Sequence, residues 1–325
     1  MAFCWHSKMR ADQKKKHRLV RKMRFLQNSN INLTCAGTIN VSITAKRPLK
    51  FPSLFGEDRR NRMPAMYAHD TFGRKVAAKL PLSVKQPILQ YPQMFRVGLQ
   101  GPDVLFFYNP FTEHPIGNVG RSLHKKTARS FLENAREIWK AGGKKVSQLS
   151  YLMGFLCHFM LDSACHPYID NQIEKIGVGH IAIETEFERL LLLLDGKDPV
   201  SFPVGYCMPT DEDLAQGIAP FYPGVSVRDM SRSIRAMRRY KNLLVMPNQL
   251  LRETAKKGLH LVGQYNAITQ HVIEPDPDLR CRITCEHLLA LYRRTVPQAV
   301  LQEKAFVNAM VNGEDFDERL NRNFE

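Results

Sequence analysis

A chain of 325 residues with 44% hydrophobic content has room for one large domain or two modest ones around a sizeable core. No run approaches the ~20 consecutive apolar residues a membrane-spanning helix needs, and seven cysteines without a secretory signal argue against a disulfide framework. The formal charge of +16 is uneven: residues 1–62 hold 15 Lys or Arg against 3 Asp or Glu, leaving 32 against 28 for the remainder.

The basic stretch comes first. Residues 1–62 lack a continuous apolar segment behind their charges, so they read poorly as a secretory signal and the chain reads as cytoplasmic. Three readings compete for this arm. It is a disordered basic segment touching nucleic acid or anionic lipid, non-native sequence upstream of a start at Met63 or Met66, or a folded extension. It is set outside the fold.

From residue 64 onward the apolar positions recur with a helical period. Residues 70–80 and 88–100 read as short helices punctuated by Pro and Gly. GPDVLFFYNPFTEHPIGNVG, residues 101–120, reads as a loop. Residues 121–142 read as one amphipathic helix stopped by Gly142 and Gly143. Residues 146–169 are apolar on nearly all sides, the mark of a buried central helix. A connection over 167–179, with Pro167 and Gly177, leads to a second apolar helix ending at Gly196. It would let the two helices run antiparallel. Thr210 is an N-cap candidate for the next segment, and 227–245, 248–265, 283–295 and 299–311 are further helices. The expected class is all-α, a multi-helix bundle in one domain.

Polar residues inside the apolar helices are the exception to explain. His158, Asp162 and His166 follow one another at intervals of four, which places them on one helical face. Buried there, each costs free energy unless something satisfies it. His180 and Glu184 repeat the interval on the next helix, and His69, Asp103 and His124 are further ligand-type residues upstream. His260, His271 and His287 have no carboxylate companion at useful spacing, and His114 sits beside Pro115. A lone buried histidine is usually a satisfied core residue. Three ligand-type residues in register, followed by HxxxE on a neighbouring helix, point instead to a metal. Nitrogen and oxygen donors without thiolate suit zinc, with iron and manganese as alternatives. Cys157 and Cys165 read as small core residues, and Cys281 with Cys285 is too small a set for a zinc site.

In the order His69, Asp103, His124, His158, Asp162, His166, His180, Glu184, these residues resemble the zinc-dependent phospholipases C, a bacterial all-helical family related to single-strand-specific zinc nucleases. The resemblance covers roughly residues 64–200. It implies two or three zinc ions. Asp103, His124, His158 and Asp162 would bind one; His166, His180 and Glu184 a second; His69 and Asp162 would share a third, Asp162 bridging. It also implies that Asp103 acts as general base and that Glu184, where the nucleases generally have Asp, favours the lipase branch.

Two departures stand out. Five residues usually separate the central Asp from the next His, against three here, Ser163 to Cys165. Secreted members also complete the third site with the amino group of an N-terminal Trp, and Trp5 lies 64 residues before His69.

The implied organisation is a basic arm (1–62), a hydrolase domain (63–311) with its metal core at 64–200 and C-terminal helices at 209–311, and a solvated tail (312–325). The implied function is phospholipase C-like hydrolysis of a phospholipid or other phosphodiester. A zinc nuclease or phosphatase on the same cluster, or a non-enzymatic helical binding protein, is the alternative. The dipeptide His69–Asp70 also suits an HD-type phosphohydrolase, which needs its other ligands in a different order. Phe106, Phe107, Tyr108 and Phe111 either line a pocket near the metals or pack their loop onto the core.

Overall fold

A computed structural model describes residues 65–110, 112–261 and 268–325. The basic arm with Trp5 and Met63, together with Phe111 and the side chain of His260, lies outside the described residues. Helices α1 (Met66–Lys79), α2 (Leu82–Gln90) and α3 (Pro92–Gly98) lead into a 3-10 helix, Gly101–Tyr108. Then come α4 (Pro115–His124), α5 (Ala128–Ala141), α6 (Val146–Ile176) and α7 (His180–Leu194). The order closes with α8 (Leu214–Ile218), α9 (Val227–Leu243), α10 (Gln249–Leu261) and α11 (Arg282–Asn312). No strand occurs among the described residues, so the all-α class stands. No described helix is long and apolar enough to cross a membrane.

The central element is α6. Its composition is apolar on every side, and Tyr151, Phe155 and Phe159 are fully buried within it. Helix α3 crosses it at a point where both partners are glycine. A Cβ on Gly154 would stand 2.2 Å from the Phe95 carbonyl, and one on Gly98 would stand 2.1 Å from that of Tyr151. Only hydrogen at both positions allows the backbones this close.

Several boundaries differ from the sequence expectation. Pro167 lies inside α6, which runs on to Ile176 and stops at Gly177 in the left-handed conformation (φ 63°). The link to α7 is therefore residues 177–179, not 167–179. Proline removes one intrahelical bond, but Pro167 is itself exposed, and buried Cys165, His166 and Ile169 on either side hold the helix together. Pro297 likewise lies inside a helix, exposed between buried Val296 and Ala299, so the two helices expected over 283–295 and 299–311 are one, α11.

The loop expected at 101–120 contains the 3-10 helix and most of α4, which opens with Pro115 at its first turn and the His114 side chain accepting from the Ile116 N–H. The single helix expected over 121–142 is broken, because Thr127 caps a new start at Ala128. Thr210 caps nothing, and α8 begins at Leu214.

The expected solvated tail is also corrected. Phe316, Leu320 and Phe324 are 3%, 0% and 1% exposed. Their interval of four, with polar residues between, turns one apolar side of a short irregular segment onto the core.

Candidate metal centre

Helix α6 presents His158, Asp162 and His166 on one face, and all three are buried. It continues unbroken through Ser163, Ala164 and Cys165, so the short interval keeps His166 in register. The Asp162 carboxylate faces three imidazoles: His158 Nε2 at 3.0 Å from Oδ2, His69 Nε2 at 3.2 Å and His166 Nε2 at 3.6 Å from Oδ1. Helix α1 contributes His69, whose ring stacks on His158 at 4.3 Å.

The 3-10 helix contributes Asp103. Its Oδ1 lies 2.8 Å from His124 Nε2, and its Oδ2 lies 3.7 Å from His158 Nε2. Gly101 makes this approach feasible. Its φ is +51°, and a Cβ there would stand 2.2 Å from the His158 ring. At the other end, His166 Nε2 and His180 Nε2 lie 3.5 and 3.4 Å from Glu184 Oε1. The three-residue link between α6 and α7 brings these rows of residues face to face.

Donor atoms of His69, Asp103, His158 and Asp162 fall within 4.8 Å of one another, as do those of His166, His180 and Glu184. Each set could hold a metal ion. His124 is tied to the first set through Asp103. The structure therefore brings together all eight residues singled out in the sequence. Asp70 is not among them: its carboxylate pairs with Arg74 at 2.9 Å and Arg96 at 3.2 Å. The HD reading consequently has no support.

The donor chemistry fits a cation. Asp162 Oδ2 and both His158 ring nitrogens are buried without a hydrogen bond of good geometry, a costly state for a carboxylate and an imidazole unless a further group completes them. His124 Nδ1 lies 2.9 Å from the Gly120 carbonyl. Since a carbonyl only accepts, Nδ1 carries the proton and Nε2 points inward. His180 Nδ1 sits 2.9 Å from Asp170 Oδ1 with the same consequence. An outer acceptor that turns Nε2 towards the centre is the arrangement metal-binding histidines need.

Without a metal, protons do the neutralising. Burial opposes charge on His124, but Asp103 beside it prevails and raises its pKa to about 9. His69 is likewise raised, Asp162 outweighing burial. Burial favours the neutral acid at Asp162, yet the surrounding His158, His166 and His69 hold its carboxyl well below the usual range. Glu184 is lowered by His180 and His166 in the same way.

Residues 68–215 match the family described as zinc dependent phospholipase C. The chain is similar to that family over this segment, which spans less than half of its length. That segment includes all eight clustered residues and ends within α8, so α9, α10, α11 and the C-terminal residues lie beyond it. No curated protein and no solved structure matches the chain.

Four residues around the cluster were not singled out by the sequence. Asp170, the outer partner of His180, is the fourth step of the same four-residue ladder, so its signal was present. Glu188 is buried one turn beyond Glu184 and accepts from the Tyr67 N–H at 2.5 Å. His271 is buried; burial and Lys241 lower its pKa to about 3, with Glu184 opposing. Phe324, close to the chain's end, packs against His124 and His158.

The aromatic run divides. Phe107 is buried against Tyr240, Tyr108 packs with His114, and Phe106 stands 5.4 Å from the His124 ring.

Proposed function

We propose that the chain hydrolyses a phosphodiester, cleaving a phospholipid between its glycerol and its phosphate. Zinc would be held by Asp103, His124, His158 and Asp162 and by His166, His180 and Glu184, with His69 and Asp162 available to a third ion. The observation that supports this reading is the convergence of seven of the eight residues in two buried groups, with His124 joined to the first through Asp103, inside the matched segment. Zinc, when bound, supplies positive charge to the phosphoryl oxygens and a water of lowered pKa.

The chain's own residues supply orientation and proton transfer. The Gly120 carbonyl and Asp170 each engage one ring nitrogen of His124 and His180, leaving Nε2 turned inward, and α6 sets the spacing of the rest. Asp103, oriented by His124, takes the proton of the attacking water. The water oxygen bonds to phosphorus, the bond from phosphorus to the glycerol oxygen breaks, and that oxygen receives the proton that Asp103 took from the water. Diacylglycerol and the phosphorylated head group leave. Glu184, where the resembling nucleases generally carry Asp, favours the lipid substrate over nucleic acid.

The test is elemental analysis of chain purified without chelator, followed by phosphatidylcholine, single-stranded DNA and a phosphomonoester as substrates. About two or three zinc per chain, with release of diacylglycerol, is the expected result. A zinc-free folded chain would refute the reading. Cleavage confined to DNA or to the monoester would reassign the cluster to a nuclease or a phosphatase.

A further inference from the structure

The residues after α11 do not drift away from the bundle. Arg136 of α5 donates to the Glu314 carbonyl at 2.7 Å and its guanidinium lies 4.4 Å from the centre of the Phe316 ring. Arg129 pairs with Asp315 at 2.7 Å and donates to the Phe316 carbonyl. Arg319 donates to Gln298 of α11 at 3.0 Å. Further on, the Ala128 N–H donates to the Arg322 carbonyl at 3.0 Å, and the Phe324 N–H donates to the His124 carbonyl at 3.3 Å. This strap is thus fastened along α5 and brackets the turn that follows His124.

Its last aromatic ring ends in the cluster. Phe324 is buried, with ring centroids 5.1 Å from His124, 5.8 Å from His158, 5.7 Å from Phe155 and 5.2 Å from Phe159. The Gly120 carbonyl restrains one nitrogen of the His124 ring but does not by itself hold the ring's plane. Phe324 and Phe106 supply neighbours for that ring, while His69, Gly101 and Phe324 crowd His158.

We propose that the C-terminal strap, residues 313–325, positions one end of the cluster, with Phe324 wedging His124 and His158 into the geometry that lets both imidazoles reach one ion. Phe324 is a positioning residue and offers no ligand atom itself. The proposal rests on the reading that the cluster holds zinc. It extends the functional unit beyond residue 215, where the matched family segment ends. Outer groups that orient metal-binding side chains typically account for about 10–100-fold in affinity.

The experiment is competition of the full zinc-loaded chain against graded chelator, with far-UV circular dichroism and Tm on the same samples. Phe324→Ala should weaken one class of zinc by about 10–100-fold and leave the other at the parent affinity, with helicity unchanged. Phe324→Leu should weaken the same class less. Arg136→Ala, which loosens the strap at a distance from the cluster, should move that class in the same direction. Glu184→Gln identifies the other class by removing it.

The proposal is overturned if Phe324→Ala keeps both affinities, or lowers both in step with Tm as general packing would. Should the alanine variant fail to fold, the same criterion is applied to Phe324→Leu. A parent chain that binds no zinc would dispose of the zinc reading itself and of this proposal with it.

Discussion

Asp103 and His124 show how much the cluster asks of individual groups. Asp103→Asn keeps the shape and one oxygen donor but removes the charge that accepts a proton. It should retain most of the zinc and lose roughly 10²–10⁴-fold in kcat, as measured by diacylglycerol release; full activity would refute its role as base. His124 yields a prediction in pH. Its folded pKa is raised from 6.5 to about 9, so its pairing with Asp103 stabilises the metal-free chain fully below 6.5 and is lost as pH rises through 9. The Tm of chelator-treated protein should fall across that window, whereas zinc affinity should rise as the competing protons leave. A flat Tm between those limits would count against the pairing. The ladder of His158, Asp162 and His166 was legible in the sequence because helical geometry alone puts every fourth residue on one face. Asp170 continues the ladder and could have been read the same way. His271 and Phe324 could not, since their neighbours come from helices remote in sequence.

Among the elements, the crossing of α3 over α6 is the least forgiving. A methyl group on Gly154 would press on backbone that cannot rotate away. Gly154→Ala should therefore destabilise the fold by about 1–3 kcal/mol, read as a drop in Tm; an unchanged Tm would show that the crossing can relax. The interval between Asp162 and His166 makes a second prediction. Deleting Ala164 turns His166 by about 100° around α6, so zinc should be lost from the His166–His180–Glu184 set before the other; retention of both would contradict the common face. Outside residues 101–120 element type was readable from periodicity, and boundaries were not. Pro167 and Pro297 read as breaks because proline cannot donate its backbone bond. In place, each proline sits on an exposed face and costs one bond, while buried neighbours such as His166 and Ile169, or Val296 and Ala299, keep the helix continuous. The 3-10 helix at 101–108 went unread because its Gly, Pro and aromatic content is that of a turn.

At the scale of the molecule, buried carboxylates and imidazoles in one core would make a bound metal part of the stability. Zinc bound to the folded state alone raises stability in proportion to the logarithm of its free concentration over Kd. Removing it should lower Tm by several degrees, with recovery on adding zinc back; identical Tm values with and without metal would separate the cluster from the fold. The all-α class could be read directly from the sequence, whereas the closure of the bundle by its C-terminal strap could not. Three apolar residues at intervals of four are a weak pattern, and only α5 and α11 show where they go. Helix α6 joins these threads. The same 31 residues carry Tyr151, Phe155 and Phe159 into the core and His158, Asp162 and His166 into the cluster. Repacking the hydrophobic interior without touching a ligand should therefore shift the metal's dissociation constant. With zinc in the proposed sites, a chelator titration would double as a gauge of how well the interior is packed.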